Sequence, residues 1–105
     1  MAKRNAVRVT PSTGNVFRDL GFSKEEAEHL LIRADLLIQV QKSIKSRGLK
    51  QAEAAKTLRV TQPRVSDLLR GRIDLFSTDA LIDMLARLGV GVRLVVKPLK
   101  ARKVA

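Results

Sequence analysis

The sequence contains no cysteine, no tryptophan and no tyrosine; its aromatic rings are Phe17, Phe22 and Phe76, with His29 as the single histidine. Without cysteine no disulfide can form, which fits a reducing compartment. One histidine, no metal-ligand spacing and no glycine-rich phosphate loop argue against an enzyme, a metal site or a cofactor. His29 reads as a surface or packing residue. Three phenylalanines set among apolar neighbours give no platform on which splayed RNA bases could stack. No apolar run approaches the roughly 20 residues that span a bilayer, and the N-terminus carries no apolar signal segment. The expectation is a cytoplasmic protein with no membrane partner.

Positive charge is what the chain has in excess. Over 105 residues, 21 basic side chains against 10 acidic ones give a formal charge of +11, which favours a polyanionic partner. The length suits one domain with tails. Residues 49–72 hold six basic and two acidic side chains, a local balance of +4, against +3 for residues 1–22, +1 for 23–48 and +3 for 73–105. The termini, with Lys3, Arg4, Lys100, Arg102 and Lys103, are also basic, as disordered ends often are.

That basic stretch has an internal pattern. From Gln51 to Arg70 the chain reads QAEAAKTLRVTQPRVSDLLR. Ala54 and Ala55 are small enough for two helices to cross closely, and Leu58, Val60, Val65, Leu68 and Leu69 fall where such a pair needs a core. Gln62, Arg64, Ser66, Asp67 and Arg70 are left facing outward. These groups can bond to base edges or phosphates, so a helix-turn-helix that binds DNA is the reading the residues favour. Thr61 is placed to cap the second helix, and Pro63 in its first turn sacrifices no intrahelical bond.

The flanking segments complete a small helical domain. Residues 1–15 read as an N-terminal arm, with Val7 and Val9 alternating and a turn cluster from Pro11 to Gly14; Val16, Phe17 and Leu20 follow as inward-packing residues. Ser23 with Glu26 forms a capping box that opens a long helix ending near Arg47, with Gly48 as its left-handed stop. Two apolar faces are expected on it: Leu30, Leu31, Ala34, Leu37, Ile38 and Ile44 on one side, Ile32, Leu36 and Val40 on the other. After Gly71, Ile73, Leu75 and Phe76 anchor a loop. Ser77 and Asp79 begin a last helix that turns Ala80, Leu81, Leu85 and Leu88 inward and stops at Gly89. Residues 90–97, VGVRLVVK, read as a strand, and 99–105 as a basic tail. A lone strand must pair with something, either Val7 to Thr10 of the same chain or its own copy in a second subunit. Val92, Leu94, Val95 and Val96 form the expected dimerisation strand.

The phrases NVFRDLGF (15–22), QAEAAKTLRVTQPRVSDLLRGR (51–72) and LFSTDALIDMLARLGVGVRLVVKP (75–98) resemble the XRE (Cro/C1-type) helix-turn-helix family, and within it antitoxins of the HigA type. The resemblance implies a mainly α, lambda-repressor-like bundle of four to five helices with a C-terminal β-strand, occupying residues 16–98. It implies a sequence-specific regulator that represses its own operon as a dimer and neutralises a small, basic, RNA-cleaving toxin. A free-standing repressor without a toxin shares the same phrases. By the same resemblance Gln62, Pro63, Arg64, Ser66 and Asp67 lie against base edges. In chemical terms Arg64 can donate twice to guanine, Gln62 can pair with adenine, Asp67 can accept from cytosine or orient a neighbouring arginine, and Pro63 can touch a thymine methyl. Gln51, Thr61, Arg70 and Arg72 are the expected phosphate contacts. Two departures from the family pattern stand out. Arg59 replaces the glycine of the tight turn, and Lys50 replaces the Ser or Thr that caps the preceding helix.

Overall fold

Hydrogen-bond chemistry at the helix ends divides the chain into its elements. In the computed structural model, which describes residues 5–9, 20–96 and 98, these are β1 (Asn5–Val9), α1 (Lys24–Ser46), α2 (Gln51–Leu58), α3 (Gln62–Leu69), a 3-10 turn (Ile73–Leu75), α4 (Thr78–Arg87) and β2 (Val90–Leu94). At the start of α1 the Ser23 hydroxyl accepts the Glu26 N–H at 3.1 Å while the Glu26 carboxylate accepts the Ser23 N–H at 3.1 Å, the capping box expected there. Thr61 and Ser77 cap α3 and α4 through their hydroxyls. Lys50 has no acceptor to offer α2, so only the reciprocal half is made, the Glu53 carboxylate taking the Lys50 N–H at 2.8 Å.

Each helix also ends on a left-handed residue: Gly48, Arg59, Gly71 and Gly89. At the end of α3 the Gly71 N–H reaches the Leu68 carbonyl and the Arg72 N–H reaches the Asp67 carbonyl, a Schellman closure that folds the chain away from the helix axis. Arg59 makes the same closure for α2 at φ 61° and ψ 44°, with its own N–H on Lys56 and the Val60 N–H on Ala55. The turn therefore keeps its shape with a side chain that disfavours it.

The core lies between α1 and the other helices: α1 packs on α4 and α3, and α2 packs on α3 and α4. Leu36, Leu37, Val40 and Ile44 of α1 meet Ala54, Ala55 and Leu58 of α2, Val65 and Leu68 of α3, Phe76, Leu81, Met84, Leu85 and Leu88 around α4, and Val90 of β2. Each buried leucine contributes about 1.5–3 kcal/mol, so this cluster dominates the stability of the domain. The two opposed faces expected on α1 merge into one. At about 100° per residue Leu36, Leu37, Val40 and Ile44 span a single arc of about 100°, and Ile38, on the far side of it, is 44% exposed.

Polar side chains tie the helices together at their C-terminal ends, where carbonyls lack partners. The Gln41 amide of α1 donates to the Leu68 carbonyl of α3 at 2.8 Å. Arg47 donates to the Leu88 carbonyl at the end of α4 at 2.9 Å, and Arg87 of α4 donates to the Leu58 carbonyl at the end of α2 at 3.2 Å. Leu69, expected in the core, is instead 40% exposed. Gln41 occupies the ground beside it, and the chain turns away at Gly71 before another apolar surface can cover it. The expected anchors of the following loop also divide: Phe76 is buried, Ile73 is half-buried and Leu75 is exposed. Ala80 of α4 is half-buried, and Met84 supplies a buried contact that the sequence reading did not include.

β2 ends at Leu94, three residues short of the expected strand. It pairs in parallel with β1, Asn5 opposite Val90 and Val9 opposite Leu94, so the strand finds a partner within its own chain. Val16, Phe17, Pro11 to Gly14 and the residues from Leu99 onward lie outside the described residues, and Leu20 is exposed.

Candidate nucleic-acid interface

α2 and α3 form the site because Ala54 and Ala55, both buried, let the backbones approach, and because the Arg59 turn redirects the chain over three residues. Val65 and Leu68 hold α3 down on the core. Its first turn is stiffened by Pro63 and by the Thr61 hydroxyl, which accepts the Arg64 N–H at 3.4 Å. Gln62 and Pro63 are exposed; Ser66 and Asp67 are half-exposed on the same helix. The polar groups assigned to base reading thus lie on a short helix whose two ends are fixed, by the Thr61 cap at one and by Gln41 and the Gly71 closure at the other.

The positive groups surround this helix. Arg59 precedes it, Arg70 and Arg72 follow it, and all three are exposed. Arg72 lies 3.6 Å from the Asp74 carboxylate, an exposed pair that contributes little and can exchange for a phosphate. Gln51 stands exposed at the first position of α2, where Lys50 supplies no side-chain cap, so the first-turn amides are not claimed by a cap side chain.

Arg64 is placed differently from the rest of the expected set. Its guanidinium lies over the Phe76 ring, 4.3 Å from the centroid, and donates to the Leu75 carbonyl at 3.0 Å. Sequence reasoning missed Gln41 and Phe76 as parts of this site. Gln41 carried a signal: it follows Leu37 by one turn and borders the buried arc of α1, where a polar group must find a partner. Phe76 carried none, since its contact with α3 joins residues twelve apart through a turn of irregular shape.

Val92 packs half-buried against the core and Val95 is half-buried, whereas Leu94 is 55% and Val96 89% exposed. A shallow cleft lined by His29, Arg33, Asp74, Leu75, Phe76, Ser77 and Thr78 adjoins the 3-10 turn that Arg64 and Arg72 contact. Among the described residues no group of three or more His, Cys, Asp or Glu could hold a metal ion, and no helix is long and apolar enough to cross a membrane.

A polar helix carried outward behind a tight turn, braced from below and bordered by arginines, is the architecture of a helix-turn-helix that docks on DNA. Comparison with known proteins agrees. A family model described as a helix-turn-helix domain matches residues 16–97. A solved structure described as an XRE family transcriptional regulator is 31% identical with a TM-score of 0.67, the match covering 76% of this chain and 91% of that one. No curated protein matches. The chain belongs to the XRE-type helix-turn-helix family of DNA-binding transcriptional regulators.

Proposed function

We propose that the protein represses transcription as a homodimer on a two-fold symmetric operator, and that it is the antitoxin of a toxin–antitoxin pair that controls its own operon. The observation that carries the DNA-binding part is the exposed polar face of α3 between the arginines at its two ends. In this reading α3 enters the major groove, where Gln62, Pro63, Ser66 and Asp67 meet base edges. Gln51 with the first-turn amides of α2, Thr61, Arg70 and Arg72 hold phosphates and fix the register.

One module of this size covers too little DNA for useful specificity, and a dimer with half-sites about one helical turn apart supplies the rest. β2 is the proposed dimer element. Among the described residues its one strand partner is β1, which leaves the other edge of β2 without a strand partner. Antiparallel pairing of the free edge of β2 with its symmetry mate gives a four-stranded sheet, with Leu94, Val95 and Val96 at the junction. Sedimentation equilibrium is expected to return a dimer; a monomer at micromolar concentration overturns this element.

The resemblance of residues 15–22, 51–72 and 75–98 to HigA-type antitoxins supports the second part. Because an RNA-cleaving toxin is itself basic, its complex with a chain of charge +11 would depend on apolar contact, for which Ile38 and Leu69 offer exposed surface. The test is growth of cells that express the adjacent small reading frame alone and together with this chain. Growth arrest relieved by this chain is the expected result. No arrest, or arrest that co-expression leaves unchanged, reduces the function to that of a free-standing repressor.

A further inference from the structure

We infer that Arg64 is a positioning residue, which locks the recognition helix to the loop that follows it, and not one of the groups that reads bases. The inference rests on the reading that α3 enters DNA. It starts from three contacts made by one residue. The backbone N–H of Arg64 is taken by the Thr61 hydroxyl at 3.4 Å, while in the side chain a guanidinium N–H is taken by the Leu75 carbonyl at 3.0 Å and the guanidinium carbon lies over the Phe76 ring, 4.3 Å from its centroid. The ring is only 1% exposed and belongs to the main core cluster, so the surface beneath the guanidinium is fixed.

A guanidinium that binds guanine bidentately must aim two parallel N–H groups outward along the groove. Arg64 already spends one N–H on a carbonyl and one face on an aromatic ring, a combination that a planar, weakly hydrated cation favours and an ammonium does not. Held by both contacts, the guanidinium is directed at the loop and not along α3 toward a groove. Where the side chain lies, it spans α3 and the 3-10 turn. That turn also holds Asp74, the ion-pair partner of Arg72, and it begins directly after Arg70 and Arg72. Arg64 therefore fixes the first turn of α3, which carries Gln62 and Pro63, against the 3-10 turn, while Arg70 and Arg72 are held to the other end of α3 by the Gly71 closure. Gln41 holds the C-terminal end of α3, and the Arg64 side chain supplies a polar tie from its first turn to the loop.

A base reader and a positioning residue leave different marks on sequence preference. A pool of duplex DNA with a randomised core is selected for binding and sequenced, with wild type, Arg64→Ala, Arg64→Lys, Phe76→Leu and Arg72→Ala, and the melting temperature of each variant is measured. Arg64→Ala and Arg64→Lys are both expected to lower preference at every position read by α3. The specific-to-nonspecific ratio should fall by about tenfold, the scale on which a stacked, charge-assisted contact acts. Arg64→Lys keeps the affinity for nonspecific duplex, because the charge remains. Phe76→Leu, at a residue that touches no DNA, is expected to copy the Arg64→Ala profile where it folds.

Loss of preference at one base pair on Arg64→Ala, with guanine still preferred there in Arg64→Lys, overturns the inference. So does an unchanged profile accompanied only by a lower melting temperature, which marks a purely structural contact. Failure of wild type to select any motif refutes the DNA-reading function itself, a result separate from either.

Discussion

At the scale of single residues, two side chains work against the fold. Arg59 holds a left-handed conformation that costs a side chain with a Cβ more than it costs glycine. Arg59→Gly is expected to raise stability by about 0.5–1 kcal/mol, read by thermal unfolding as an increase of a few degrees in Tm. The same change removes an exposed cation beside α3, so if the proposed docking holds, stability and affinity for DNA should move in opposite directions. Asp35, half-buried on α1, has its carboxyl pushed above its ordinary value of 3.8 by burial. Its charged form is thus disfavoured in the folded state. The penalty is absent below pH 3.8, grows as the pH rises from there to the folded-state value, and is constant above it. Asp35→Asn should be more stable than wild type at neutral pH, with the difference vanishing in acid. A variant that is equally stable at both ends of a pH series of denaturant titrations would refute this.

At the scale of elements, the helix ends were legible and the faces were not. Ser23 with Glu26, Thr61, Ser77, Gly48, Gly71 and Gly89 act through partners within a few residues, and such contacts leave a pattern in a linear sequence. The buried arc of α1 depends on where other helices pack on it. Leucine at Leu30, Leu31, Leu36 and Leu37 satisfies two faces equally well on paper. Within the interface the same division holds. Gln62, Pro63, Ser66 and Asp67 could be placed from the period of α3, whereas the pairing of Arg64 with Phe76 depends on the path of the irregular turn between them. Gln41 makes the element-level contact most open to test. Gln41→Leu preserves bulk and removes the side-chain donor from the Leu68 carbonyl, which keeps the Gly71 N–H, at an expected cost of about 0.5–1.5 kcal/mol. Because Gln41 holds the end of the recognition helix, hydrogen exchange should accelerate first at the amides of Leu68 and Leu69. Uniform acceleration across the domain would mean that the contact is only one of many.

At the scale of the whole molecule, a charge of +11 spread over so short a chain makes association with DNA strongly dependent on salt. Log affinity should fall linearly with log salt concentration, and Arg72→Ala should reduce the slope by about 0.9 if one phosphate contact is lost. Arg72→Ala should weaken binding to all sequences alike. An unchanged slope would place Arg72 off the DNA and leave it to its exposed pair with Asp74.

The parallel ribbon has a consequence for the order in which the domain assembles. β1 and β2 are separated in sequence by residues 10–89, so their pairing closes a far longer loop than any helix contact does. Loop closure of that length is entropically costly, and contacts between distant segments slow folding. The helices can collapse on α1 from near neighbours while both strands are still searching. A population caught at that stage would already carry a formed recognition helix, yet its unzipped strands would expose two edges open to any other chain. The protein's most exposed moment is therefore the interval between the completion of its helices and the meeting of its two strands.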